Sequence, residues 1–199
     1  MEATVSLEGV RGPLIERGWV RLRRAISEEE CSALLDRGEH AWRPLAAEVG
    51  QVRQAGWYCQ PPVAELPNKI ARFAQALGES LAAEVEKSGF PEAFNEVSWQ
   101  RHVPSEVAVG PHRDQSFYTG AIVVVTLVGS ARFSMLASRD AADEIDAWDT
   151  EPGDVVLMRG AGLGDPSARC PWHQVAAPAD GERQTLTLRH TVGTPGGWE

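Results

Sequence analysis

The sequence predicts an α+β protein that is mainly β, a double-stranded β-helix (a jelly-roll or cupin-like barrel) braced by N-terminal helices. Two helical patterns come first, and some seven or eight short strand patterns follow after residue 92. No internal repeat or low-complexity stretch divides the chain. We therefore expect a single domain over residues 1–199, with a mostly helical support region at 1–92 and the barrel core at 93–193.

The composition fits one compact domain and narrows the classes of partner. The chain has 199 residues, of which 43% are apolar, enough for a sizeable core. Its 19 basic and 28 acidic residues give a formal net charge of −9, which argues against a broad basic surface for nucleic acid or an anionic membrane. Three cysteines (Cys31, Cys59 and Cys170) are few and odd in number, so a disulfide framework is not expected. Without a signal-peptide pattern or an 18-residue apolar run, we expect a cytoplasmic protein with no membrane segment.

The first half of the chain predicts one marginal strand and two helices. Residues 18–24 alternate as a strand at the margin of a sheet does. Ser27 and Glu30 form a capping box, and the helix that it opens should run to about His40 or Trp42. Its inward side chains are expected to be Cys31, Leu34 and Leu35.

Residues 44–67 lack periodicity and predict an irregular segment that contains Trp57 and Tyr58. Residues 68–88 predict a helix that ends before a C-capping Gly89. The apolar stripe of this helix is Ile70, Phe73, Leu77, Leu81 and Val85.

The second half predicts the strands of the barrel. Residues 121–128 are continuous and β-branched, which is typical of a strand buried on both faces. Residues 131–136 are expected to pair with it through a turn at Gly129-Ser130. Further strands are predicted at 97–103, 107–112, 155–158 (after a turn at 151–154), 172–175 and 184–192.

A His-x-Asp pair and a later histidine form the candidate metal site. On an extended strand residues i and i+2 share a face, so His112 and Asp114 should project side by side. His173 lies 59 residues after Asp114, beyond about four strand patterns, and a barrel can return it beside the pair. Two histidines and one carboxylate form the facial triad of non-haem Fe(II) oxygenases. The alternatives are a structural histidine or a Cys170-x-x-His173 half-site for zinc, which finds no further cysteine or histidine at ligand spacing.

A later strand carries two arginines at one parity. Period two places Arg183, Thr185, Thr187 and Arg189 on one face and the intervening leucines on the other. Buried guanidinium groups are costly without an anion. A dicarboxylate meets this need, because guanidinium binds carboxylate in a bidentate manner and hydroxyls add further bonds.

Residues 97–192 resemble the Fe(II)/2-oxoglutarate-dependent dioxygenases, with His112-x-Asp114, His173 and Arg183 in the order of that family. The pattern is most similar to the AlkB-like branch. Gln100-Arg101-His102 stands where that branch often has Asn-Arg-Tyr, and residues 183–189 match its Arg-x-Asn-x-Thr-x-Arg strand. Here His102 replaces the tyrosine and Thr185 the asparagine.

The resemblance implies roles for these residues. His112, Asp114 and His173 would bind Fe(II), and Arg183 would hold the distal carboxylate of the co-substrate 2-oxoglutarate. Gln100, His102, Thr185 and Arg189 would contact the co-substrate or its neighbours, with Arg189 open as the alternative anchor. The reaction would consume dioxygen, oxidise a substrate, and release succinate and carbon dioxide.

Three interpretations of the function remain. An oxygenase of a small molecule, such as an amino acid or a natural-product intermediate, fits the acidic balance, which argues against nucleic acid. An AlkB-type nucleic-acid demethylase fits the arginine strand, and a non-catalytic jelly-roll binding module is the third reading. The candidate substrate-side residues are Gln115, Phe117, Tyr118, Trp57, Tyr58 and Trp172.

Overall fold

A computed structural model describes residues 5–36, 40–85 and 93–192. Its helices are α1 (Arg11–Glu16), α2 (Glu28–Leu34) and α3 (Asn68–Glu84), with a 3₁₀ turn at Val63–Glu65. The strands are β1 (Trp19–Leu22), β2 (Arg43–Pro44), β3 (Glu48–Val49), β4 (Val52–Arg53), β5 (Trp57–Cys59), β6 (Glu96–His102), β7 (Val109–His112), β8 (Tyr118–Val128), β9 (Arg132–Leu136), β10 (Glu144–Asp149), β11 (Val155–Arg159), β12 (Trp172–Val175) and β13 (Arg183–Thr191). No helix within the described ranges is long and apolar enough to cross a membrane.

Two antiparallel sheets form the expected jelly roll. The larger sheet has the order β1-β11-β8-β13-β6-β5-β2, and the smaller one has the order β10-β9-β12-β7. A hairpin of β3 and β4 stands beside them. Side chains from both sheets form one apolar layer, in which Ile122 and Met158 of the larger sheet cluster with Phe133 and Met135 of the smaller. The cavity described below opens within this layer.

The other face of the larger sheet is covered by the helices. Val123 and Val125 of β8 share a core cluster with Leu34 of α2 and Leu77 of α3. Because β8 lies in the middle of its sheet and both its faces are covered, residues 121–127 are buried as predicted except for the partly exposed Val124, whereas Val128 at the end of the run is exposed. The strand at residues 18–24 is also confirmed in place, since β1 forms an edge of this sheet.

The two predicted helices form, but α2 is shorter than expected. The capping box of Ser27 and Glu30 is present, and Cys31 and Leu34 are buried. The expected extension to His40 or Trp42 is wrong, because Leu35 is extended with φ −62° and ψ 137°. The buried Asp36 carboxylate then accepts a hydrogen bond from the Trp42 indole at 2.7 Å, which ties the chain back. Helix α1 was not predicted.

Helix α3 buries the predicted stripe, from Ile70 to Leu81, against the core. The proposed cap at Gly89 lies outside the described residues. Residues 44–67 were expected to be irregular, but Trp57 and Tyr58 belong to β5, which pairs with β6. That prediction is wrong for this segment, because pairing with β6 extends a stretch that has no periodicity of its own. The division at residue 92 stays a prediction, although β1, β2 and β5 belong to the larger sheet.

Strand β9 does not pair with β8. It lies in the smaller sheet between β10 and β12, so the expected hairpin through Gly129 is wrong. Gly129 has φ +72° and lies against the backbone of Glu182, where the chain leaves one sheet for the other. This crossing buries Phe133 and Met135 between the sheets. Strand β10, the partner of β9, was not predicted.

Candidate active site

Strands β7 and β12 bring the two candidate histidines together. They are neighbours in the smaller sheet, and His112 and His173 are directly paired across them. The imidazole centroids are 4.1 Å apart. Asp114 lies just beyond the end of β7 rather than on the strand as predicted, yet its carboxylate joins the histidines. One ligand atom from each of the three residues lies within 4.8 Å of the others.

Both imidazoles are oriented by the backbone. Nδ1 of His112 donates to the carbonyl of Gly110 at 2.9 Å, and Nδ1 of His173 donates to that of Pro171 at 3.1 Å. These bonds place the proton on Nδ1 and leave the lone pair of Nε2 for a metal. Burial lowers the pKa of His173 to about 3 and also lowers that of His112. Both rings are therefore neutral at physiological pH, the form that binds metal.

The carboxylate of Asp114 is held between a cation and a histidine. Its Oδ1 lies 3.2 Å from Nη2 of Arg189, and its Oδ2 lies 3.6 Å from Nε2 of His173. Burial alone would raise the pKa of Asp114, but the charge of Arg189, with the two histidines, lowers it. The group is thus an ionised oxygen donor directed at the same point as the histidines.

Arg189 is already neutralised by the protein. Its Nη1 lies 3.2 Å from Oε1 of the buried Glu96, and its guanidinium stacks over the Tyr118 ring at 4.9 Å. Tyr118 in turn donates its hydroxyl proton to Oε2 of Glu96 at 3.3 Å. Sequence reasoning missed Glu96, although β6 and β13 pair it directly with Arg189. Knowledge of that strand register would have shown the ion pair.

Arg183 has a different environment on the same strand. It is 2% exposed, and within the described chain its guanidinium donates to two hydroxyls, those of Thr150 and Thr126, each at 3.3 Å. None of the described carboxylates forms an ion pair with it. Burial alone lowers the pKa of its guanidinium to about 10. The nearby hydroxyl of Thr185 is buried and has no hydrogen-bond partner among the described residues, so a bound anion could pair with Arg183 and accept a hydrogen bond from this hydroxyl.

Two residues of β6 face this arginine. His102 is paired with Arg183 and Gln100 with Thr185 across the strands. Nδ1 of His102 donates to the carbonyl of Ala55 at 2.7 Å. Burial lowers the pKa of His102 to about 4, helped by the charge of Arg183, so the ring is neutral.

These groups line one cavity of about 100 Å³. All eight residues predicted for metal or co-substrate lie in its wall: His112, Asp114, His173, Gln100, His102, Arg183, Thr185 and Arg189. Of the predicted substrate-side residues, Gln115 and Tyr118 line the cavity. Phe117, Trp57, Tyr58 and Trp172 lie outside its lining; Trp57 packs on Arg101, and Trp172 packs on Arg113.

The roof of the cavity comes from the short hairpin of β3 and β4. Val49, Val52 and Gln54 all line the cavity, and Gln54 bridges to Val109 at the edge of the smaller sheet. Arg139 contacts Gln51 at the turn of the hairpin and ties it to the loop after β9. Sequence reasoning missed these residues, because strands of two residues leave no periodic signal.

A second group of metal-type side chains lies elsewhere and is satisfied internally. Ligand atoms of Asp36, His40 and Cys59 also lie within 4.8 Å of one another. However, the Asp36 carboxylate accepts from His40 Nδ1 at 2.9 Å and from the Trp42 indole. Burial raises the pKa of the Cys59 thiol to about 11. This group is therefore a hydrogen-bonded structural cluster, unlike the cavity.

Comparison with known proteins identifies the fold. No protein-family model and no curated protein sequence matches the chain. Among solved structures, a prolyl-4-hydroxylase from Pseudomonas putida aligns with a TM-score of 0.64 at 18% identity, covering 92% of this chain and 97% of the other. A 2OG-Fe(II) family oxygenase from Burkholderia pseudomallei gives 0.59 at 16%, with coverage of 94% and 92%. The AlkB homologue OsALKBH1 gives 0.56 at 16%, with coverage of 87% and 98%. The chain therefore has the fold of the Fe(II)/2-oxoglutarate-dependent oxygenases, AlkB homologues included.

Proposed function

We propose that this protein is an Fe(II)- and 2-oxoglutarate-dependent oxygenase that oxidises a small-molecule substrate. One observation carries the proposal. A single cavity combines a two-histidine, one-carboxylate cluster with a buried arginine that has no ion pair among the described residues. The first feature fits a metal and the second fits an anion, so the cavity matches the two components that such an oxygenase requires.

The donor set fits iron. Two neutral imidazoles and an ionised carboxylate offer one ligand atom each, which is the set found at non-haem Fe(II) centres with open positions. The zinc half-site considered for Cys170 has no such support. Cys170 is not in this cluster, and burial raises the pKa of its thiol to about 12. Asp114 also supplies a carboxylate ligand, which favours hydroxylation or a related oxidation over halogenation.

The second end of the cavity fits the dicarboxylate 2-oxoglutarate. Arg183 would form the bidentate pair with the distal carboxylate, and the hydroxyl of Thr185 would add a hydrogen bond. Arg189 is a weaker candidate for this anchor, because Glu96 and Asp114 already balance its charge. Bound iron and 2-oxoglutarate together supply oxidation of a substrate C–H by dioxygen, coupled to conversion of 2-oxoglutarate to succinate and carbon dioxide.

The protein's own residues bind, orient and exclude water. Gly110 and Pro171 fix the imidazoles through their carbonyls, and Arg189 fixes the carboxylate. Phe133 stacks parallel to the His173 ring at 5.6 Å and closes the apolar side. Such held donors position the reacting atoms at low reorganisation cost.

A small molecule suits the cavity better than a nucleobase in a polymer. Val49 and Val52 form a roof over a space of about 100 Å³, and the net charge of −9 opposes binding of many phosphates. The second candidate is an AlkB-type demethylase, which the arginine strand and the similarity to OsALKBH1 support. A non-catalytic module that binds a neutral ligand such as a sugar would not need the uncompensated charge of Arg183 or the cluster of His112, Asp114 and His173, and we rank it last.

The proposal is tested by anaerobic addition of Fe(II) and 2-oxoglutarate. We expect a visible metal-to-ligand charge-transfer band, which Asp114→Ala removes and the exposed control Asp180→Ala retains. Tight zinc binding without any oxoglutarate-dependent band in the wild type would contradict the proposal. Efficient demethylation of a methylated oligonucleotide, with steep salt dependence of binding, would favour the AlkB-type alternative.

A further inference from the structure

We propose that the substrate is a small carboxylate with an apolar body, and that Arg113, supported by Trp172, binds its carboxylate at the rim of the cavity. This inference rests on the proposed oxygenase function and names the substrate class of the same site. Three observations lead to it: the charge of the cavity lining, the state of Arg113, and the apolar roof.

The cavity carries more positive charge than the proposed iron and 2-oxoglutarate would balance. Its charged lining residues, within the described chain, are Arg113, Arg183, Arg189 and Asp114, and Glu96 lies directly behind Arg189. Each lining histidine donates Nδ1–H to a backbone carbonyl and is counted as a neutral ring, so three guanidinium groups against two carboxylates leave one positive charge. A divalent metal adds two positive charges and the oxoglutarate dianion removes two. One positive charge therefore remains, and a monoanionic substrate would neutralise it.

Arg113 is the lining cation with no assigned anion. Arg189 is paired within the protein, and Arg183 is the proposed anchor of 2-oxoglutarate. Arg113 stacks over the Trp172 ring at 4.7 Å and makes no ion pair or hydrogen bond with the described residues. Stacking fixes the plane of a guanidinium and leaves its edge free for a carboxylate. Arg113 is exposed and lines the same cavity as the candidate ligands His112 and Asp114, so an anion bound to it lies at the mouth of that cavity.

The remaining lining points to an apolar body on that anion. Val49 and Val52 form the roof, and Val109 and Val175 line the wall near the histidines. The polar rim groups are neutral amides, those of Gln54 and Gln115, which do not compete for a carboxylate. A nucleic-acid backbone would need several cations along an open groove, whereas among the described residues that line this cavity Arg113 is the one exposed cation.

The test measures binding as well as turnover. Full-length protein is loaded with Ni(II), which occupies the site without turnover, and with 2-oxoglutarate. Calorimetric titrations then compare the monoanions hexanoate, N-acetyl-L-leucine and N-acetyl-L-methionine with the neutral amides hexanamide, N-acetyl-L-leucinamide and N-acetyl-L-methioninamide. We expect at least one acid to bind about tenfold or more tightly than its amide. Arg113→Gln should lower affinity for that acid by roughly tenfold to hundredfold and remove its preference over the amide.

Matched variants exclude a general charge effect. Arg113→Lys should retain part of the affinity, because an ammonium keeps the charge but not the fork. Arg72→Gln makes the same charge change on the exposed face of α3 and should bind the acid as the wild type does. With Fe(II), the preferred acid should raise succinate release above the substrate-free rate in the wild type and in Arg72→Gln.

Each contrary result has a distinct meaning. Equal or undetectable binding of every acid and its amide overturns the inference, as does an equal loss in Arg113→Gln and Arg72→Gln. Tighter binding of a methylated oligonucleotide than of every acid overturns it as well. If the wild type lacks the charge-transfer band, the oxygenase function fails; if the band is present and acids are not preferred, only the carboxylate inference fails.

Discussion

Replacing Arg183 by methionine separates what the buried charge costs from what it binds. The lowering of its pKa from 12.5 to about 10 by burial corresponds to roughly 3 kcal/mol of destabilisation of the charged form. Its two hydrogen bonds, to the hydroxyls of Thr150 and Thr126, return about 0.5–1.5 kcal/mol each. The two effects nearly cancel, so we expect the metal-free, oxoglutarate-free Arg183→Met protein to be as stable as the wild type or up to about 2 kcal/mol more stable.

Ligand binding should show the opposite result. A charge-assisted bidentate pair in a sheltered site is worth on the order of 2–5 kcal/mol, so Arg183→Met should lose roughly thirtyfold to several-thousandfold affinity for 2-oxoglutarate. Wild-type protein at about one hundred times its dissociation constant should gain about 2.7 kcal/mol of unfolding free energy, and the variant at the same ligand concentration should gain less than about 1 kcal/mol. Arg183→Lys should recover only part.

Denaturant unfolding of the metal-free protein measures the first effect. Unfolding of the Ni(II)-loaded protein with and without 2-oxoglutarate measures the second, and calorimetry gives the affinity directly. Arg72→Met serves as the exposed control. The reasoning fails if Arg183→Met binds 2-oxoglutarate within about threefold of the wild type. It also fails if Arg189→Met alone loses 2-oxoglutarate at saturating Ni(II), because Arg189 would then be the anchor.

Two further predictions concern buried charge near the site. Glu96→Gln removes the charge that balances Arg189, so it should lower the unfolding free energy by about 1–3 kcal/mol in denaturant titrations and weaken Ni(II) binding about tenfold. The control Glu182→Gln removes a half-exposed partner of Arg101 and should change the unfolding free energy by less than about 1 kcal/mol. Equal effects of the two substitutions would contradict the role given to Glu96. His102 has a pKa of about 4 in the folded protein against 6.5 for an ordinary histidine, so the unfolded chain takes up a proton as pH falls while the folded protein does not. The unfolding free energy of the metal-free protein should therefore fall by about 2 kcal/mol through this residue between about pH 7 and about pH 5. An undiminished pH dependence of unfolding in His102→Gln would refute this prediction.

The features that sequence predicted well are local ones. Period two within β13 put Arg183, Thr185, Thr187 and Arg189 on one face, and all four line the cavity. The capping box of Ser27 and Glu30 likewise marked the start of α2 correctly. Such features depend on neighbouring residues of one segment, and tertiary contacts did not alter them.

The features that sequence missed depend on partners distant in the chain. Whether β9 folds back on β8 or crosses to the other sheet is decided by where Phe133 and Met135 are buried, not by the turn before them. The end of α2 is set by the contacts of Asp36 rather than by helix propensity. The hairpin that roofs the cavity has strands too short to show any period.

The two arginines of β13 show this limit most clearly. Arg183 and Arg189 have the same residue type, strand and parity, so sequence left open which of them would anchor a dicarboxylate. The structure distinguishes them by their partners across the strands, since β6 places Glu96 opposite Arg189 and the neutral His102 opposite Arg183. The carboxylate of Glu96 therefore balances the charge of Arg189, whereas the neutral ring of His102 leaves the charge of Arg183 uncompensated. An anionic guest gains most by binding the uncompensated one, which is why we place 2-oxoglutarate on Arg183.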